Sequence, residues 1–162
     1  MFRLAVLALL LSATAVFAQN ATQQSAVNLP KACLAAAQAS GHGEMMQQMR
    51  AQMTQAVPSG MEKQMTQTQK GLHAAMMAMN GPMMQGMMAK DADVAWICAM
   101  IPHHQGAIDM ARAGLLEASD PESRKMAEET IRMQEQEIRK LAAWAEKHAA
   151  PETKQTTGSG AK

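Results

Sequence analysis

Three observations predict an all-α fold, a four-helix bundle with long, kinked helices. Apolar residues recur at alternating steps of three and four over two long stretches. Helix caps and helix stops fall between such stretches. No segment shows the alternation of β-branched residues that marks a strand.

The chain opens with a segment that does not belong to the bundle. Residues 1–18 read as a secretory signal peptide: Arg3 supplies the charge, Leu4 to Leu11 the apolar run, and Val16-Phe17-Ala18 a cleavage site closed by a small residue. The run is too short to span a bilayer, and no later segment reaches that length, so no membrane insertion is expected once it is removed. Residues 19–28 are polar and expected to be loose. The helical domain takes residues 29–150. Residues 151–162, polar and rich in Thr and Gly, are expected to be a disordered tail.

Within the domain, Pro30 opens a short Ala-rich helix that ends near Ser40-Gly41. A second helical segment runs from Glu44 to Val57 and stops before Pro58. Ser59 is placed as the cap of a third helix running to about Met79. Asn80-Gly81-Pro82 is its stop signal, and Pro82 to Lys90 a Met-rich connector. Asp91 caps the next helix. Asp120-Pro121-Glu122 opens the last, with Asp as cap, Pro at the first helical position and Glu in the first turn. That helix is expected to reach about Ala149.

The last two helices each carry a seam. Val94, Ile97, Ile101, His104, Ile108, Ala111 and Leu115 share one face; Ala127, Ile131, Gln134, Ile138, Leu141 and Ala145 share another. His104 and Gln134 occupy positions where an aliphatic residue is expected, so each needs a hydrogen-bond partner or a metal. Pro102 lies inside the first of these patterns and leaves the Cys98 carbonyl without its helical partner. That predicts a kink, or alternatively a new helix beginning at Pro102.

Composition narrows the function. The net charge is +1 with no basic run, which argues against nucleic acid or an anionic membrane surface as partner. There is no nucleophile motif, phosphate-binding glycine loop, HExxH or paired Glu-x-x-His, so no enzyme is expected. The chain carries 18 Met against 2 Cys, 5 His, 2 Phe and no Tyr. Thioether sulfur suits Cu(I) and imidazole suits either oxidation state of copper. Export to an oxidising compartment explains a preference for Met, because a thioether cannot form a disulfide.

The densest donor set is Met100, His103, His104 and Met110. Met100 and His103 lie one turn apart on a stripe that also holds Trp96 and Ala107, and Met110 lies two turns beyond His103. Further sets are His42 with Met45, Met46, Met49 and Met53; His73 with Met76 and Met77; and Met83, Met84, Met87 and Met88. Each also reads as ordinary Met packing, but leucine would specify a helix better, so an excess of flexible sulfur wants a reason. Cys33 and Cys98 are either a disulfide or, in the alternative, leave Cys98 free as a copper ligand.

The run Met100-Ile101-Pro102-His103-His104-Gln105-Gly106-Ala107-Ile108-Asp109-Met110-Ala111 resembles the signature of domain-of-unknown-function family 305, whose members include copper-binding proteins of the CopM type. Ala127, Ile131, Gln134, Glu137-Ile138 and Trp144 are similar to that family's later helix in residue and spacing. The resemblance covers about 91–149, while 42–88 matches only in being Met-rich. It implies a ferritin-like bundle in the bacterial periplasm or outside the cell, and copper binding linked to copper tolerance. It places ligands at Met100, His103, His104 and Met110. Gln134 and Glu137 are read as supports beside them.

The resulting expectation is a periplasmic or secreted copper-binding protein that sequesters, buffers or transfers the metal by ligand exchange. Cu(I) is favoured by Met, with Cu(II) also accepted at His103 and His104. Its partners are copper ions and another copper-handling protein. Two alternatives stand beside it: a haem-binding electron carrier with Met and His axial ligands, and a Met-rich module that grips apolar peptides.

Overall fold

The computed structural model describes residues 28–42, 44, 45, 48, 60 and 63–149. The expected signal peptide, the cap at Ser59, the tail, and the ligand candidates Met46, Met49 and Met53 lie outside the described residues. So does most of the expected helix from Glu44 to Val57. Four helices follow in order: α1 (Lys31–Gln38), α2 (Gln67–Gly86), α3 (Ala92–Leu115) and α4 (Pro121–His148). They pack as an all-α bundle in which α3 is central, with α2 along one side and α4 along another.

Helix α1 is short because its cap and stop are close together. Pro30 stands at its N-cap, and the chain turns away at Gly41, whose φ of 78° favours glycine. Its Ala32, Cys33 and Ala37 are buried.

Helix α2 corrects two expectations. It begins at Gln67, where Thr66 and Gln69 form a capping box: the Gln69 amide donates to Thr66 Oγ1 at 3.2 Å, and the Thr66 amide donates to Gln69 Oε1 at 2.9 Å. It then runs through Asn80-Gly81-Pro82 instead of stopping there, so Met83 and Met84 are helical and the connector shrinks to the residues after Gly86. Pro82 forfeits its own amide bond and crowds the carbonyl of Ala78, a local cost. Packing against α3 on both sides of that gap holds the turn, and tertiary packing outweighs local propensity.

The contact between α2 and α3 is unusually close because glycines line it. A Cβ on Gly71 would lie 2.6 Å from Ala113 Cβ, and one on Gly86 would press into the backbone of Cys98 and Ala99. Between them, Met79 lies against Gly106. These three pairings fix an antiparallel register. Just past the end of α3, Glu117 Oε2 accepts the Thr68 amide in the first turn of α2 at 2.9 Å and ties the two helices together.

Helix α3 is capped by Asp91, whose Oδ1 accepts the Val94 amide at 2.9 Å. It continues unbroken through the buried Pro102, so no new helix begins there. Asp120 caps α4 through the Ser123 amide at 2.7 Å, with Pro121 at the first position.

The core gathers Leu29, Ala32, Cys33, Val94, Ile97, Cys98, Ile101, Leu141, Ala145 and Ala149. Cys33 and Cys98 form a disulfide with their Cα atoms 5.5 Å apart. Cys98 is thus bonded and fully buried, and the alternative of a free Cys98 ligand falls. A crosslink across a sequence separation of 65 stabilises the fold by about 4 kcal/mol in the chain-entropy model.

Candidate metal centre

The seam of α3 places Val94, Ile97, Ile101 and Ile108 in the interior. The stripe beside it reaches the surface. Trp96 is 59% exposed, His103 is exposed, and Met100, Ala107 and Met110 are half-buried. One helix thus offers imidazole and thioether donors at the boundary between core and solvent, where an ion can enter.

His104 is half-buried on the seam, and its partner lies on its own helix. Its Nδ1 stands 2.7 Å from the Met100 carbonyl oxygen. A carbonyl only accepts, so Nδ1 carries the hydrogen, and in the neutral ring Nε2 is the nitrogen with the free lone pair. Metal-binding histidines take this arrangement, in which the second ring nitrogen fixes tautomer and orientation. The rings of His103 and His104 have centres 5.9 Å apart at an interplanar angle of 67°. An ion about 2 Å from each nitrogen sits roughly 3.2 Å from each ring centre, so two rings sharing one ion have centres up to about 6.4 Å apart. The observed separation is within that reach.

Across from His104, the partly exposed Glu137 on α4 is held below the usual carboxylate range. The hydrogen bond from Lys140 Nζ, 2.9 Å from Oε1, is the main cause, followed by the Lys140 charge; His104 adds a smaller pull. An ionised carboxylate therefore stands near the imidazole. Gln134 is half-buried on the same face of α4.

The other candidates are less gathered. His73 is half-buried on α2, with Met76 exposed and Met77 half-buried; Met83, Met84 and Met88 are half-buried and Met87 is exposed. His42 and Met45 are exposed. Among the described residues no three His, Cys, Asp or Glu side chains are grouped to hold an ion.

Asp109 was not singled out by sequence reasoning. It is 6% exposed. Its Oδ1 accepts from Gln105 Nε2 at 3.1 Å and from Arg112 Nη1 at 3.3 Å, and Arg112 reaches on to Glu135 of α4 at 3.8 Å. Oδ2 is buried with no hydrogen-bond partner among the described residues. Burial pushes its carboxyl above the usual range, against the opposing pulls of Gln105 and Arg112. The signal was legible as a second stripe: Cys98, Pro102, Gly106, Asp109 and Ala113 also follow steps of three and four, and all are buried.

Fold and site together define a helical bundle with a mixed histidine and methionine stripe on its central helix. The chain belongs to the family described as Domain of unknown function (DUF305), whose model matches residues 8–145. The match therefore takes in the Met-rich part of the chain as well as the two blocks that carried the resemblance. No curated protein matches the chain.

Proposed function

We propose that this protein binds copper and acts by sequestering, buffering or handing on the metal in the periplasm or outside the cell. It does so by ligand exchange and performs no bond-making chemistry. The observation that carries the reading is the orientation of His104, with Nδ1 spent on the Met100 carbonyl and Nε2 left to donate, 5.9 Å ring to ring from His103. The surrounding donors are thioethers, which favour Cu(I), while the imidazole pair also accepts Cu(II). A site at the protein surface exchanges its ion readily, which suits a carrier or buffer. Among the described residues no helix is long and apolar enough to cross a membrane.

X-ray absorption at the copper edge of the loaded protein tests the reading. The expected first shell contains both nitrogen and sulfur neighbours. A shell of oxygen and nitrogen alone, or protein that does not retain copper against a weak chelator, overturns it.

A further inference from the structure

We propose that Met79, on α2, is a copper(I) ligand that joins His103 and Met110 of α3 in one site shared by the two helices. This rests on the copper reading above and extends it to a residue outside every Met and His set picked out by spacing.

The starting point is Gly106. It lies in the interior of α3 and is buried, although glycine in a helix interior costs roughly 0.5–1 kcal/mol relative to alanine. The space that its side chain would take is occupied. A Cβ on Gly106 would stand 2.9 Å from Met79 Cβ and 3.0 Å from its Cγ, with the sulfur also against it. The Met79 sulfur therefore rests on α3 at the place of a residue-106 side chain.

That place has specific neighbours. On the surface of a helix, residue 106 has four neighbours whose Cβ atoms lie about 5–6 Å away: the buried Pro102 and Asp109 on one side, and two donor residues on the other. These are His103 and Met110. A sulfur from α2 thus rests on α3 one helical neighbour away from an imidazole and a second thioether. The pairings of Gly71 with Ala113 and of Gly86 with Cys98 hold α2 in register on either side, so Met79 is fixed along the axis.

The donor set that results is one nitrogen and two thioether sulfurs, all uncharged and two of them soft. That set discriminates for Cu(I); a set of imidazoles alone would serve Cu(II) equally well. It also makes the ion a clamp between α2 and α3.

The test compares the parent chain with Met79→Leu, Met126→Leu and His103→Ala. Cu(I) affinity is read by competition with a chromogenic Cu(I) chelator under anaerobic reducing conditions, and Cu(II) affinity by competition with a Cu(II) chelator. Leucine keeps the volume and apolar character of methionine, so the metal-free fold is retained. Met79→Leu is expected to weaken Cu(I) binding at least tenfold and to leave Cu(II) binding and the metal-free melting temperature unchanged. Met126→Leu, at an exposed position of α4, is expected to match the parent. A second measurement does not depend on stability: the copper-edge spectrum of Met79→Leu should lose one sulfur neighbour. If Met79→Leu binds Cu(I) as tightly as the parent while His103→Ala binds weakly, Met79 only packs and the copper reading survives. If His103→Ala also binds as tightly as the parent, both readings fall.

Discussion

His104 has two ring nitrogens, and the fold commits one of them. The bond from Nδ1 to the Met100 carbonyl answers the demand that a half-buried imidazole be partnered. It does so within one helix, whereas the seam pattern had left the partner unnamed. Asp109 poses the opposite case, a buried carboxyl whose Oδ2 has no hydrogen-bond partner among the described residues. Its folded-state pKa is raised, chiefly by burial, so the folded protein binds that proton more tightly than the unfolded chain. The stability it contributes is fully present below the ordinary aspartate range, near 3.8, and is lost as pH rises through the raised value. Arg112, with Glu135 beyond it, is the charged neighbour that limits the shift. Melting the metal-free parent and Asp109→Asn across the acid range should show the parent losing ground to the variant as pH increases. A difference that stays flat would mean Asp109 titrates as it does in the unfolded chain.

At the scale of elements, α3 and α4 were legible almost to the residue because caps and seams agree. Asp91 and Asp120 both cap through side-chain bonds to the amide three residues on. Helix α2 was misread for a physical reason. Asn-Gly-Pro is a local stop signal, but its force is small beside the packing of Gly71, Ala75 and Gly86 against a neighbour that sequence alone does not identify. The glycines themselves now separate into two kinds. Gly86 meets backbone atoms of α3, whereas Gly114 has nothing within 4 Å of an added Cβ. Gly86→Ala should therefore destabilise the protein by about 1–3 kcal/mol, and Gly114→Ala should stabilise it by roughly 0.5–1 kcal/mol. Urea unfolding midpoints measure both. Equal shifts in the same direction would mean that the α2–α3 approach is looser than these contacts require.

At the scale of the molecule, α3 organises everything else. One face packs on α4, a second stripe of small residues admits α2, and the disulfide from Cys98 fastens α1. The stripe left over carries Trp96, Met100, His103 and Met110. All-α architecture and this stripe were legible because period and residue type repeat along a single helix. The insertion of Met79 was not, because it depends on the register between two helices, which no spacing within one of them encodes. The same holds for the disulfide, which the sequence left open against a free Cys98. The central claim is that the His pair binds metal and that only His104 also supports the fold. Melting His103→Ala and His104→Ala, each with and without Cu(I) kept reduced by ascorbate, tests it most directly. Copper bound to the native state raises stability by mass action. The account predicts that both variants lose part of the copper-induced rise. It also predicts that His103→Ala melts like the parent without metal, and that His104→Ala is about 1–3 kcal/mol less stable without it. Variants that both keep the full copper-induced rise would contradict the account and leave the two histidines with a structural role alone.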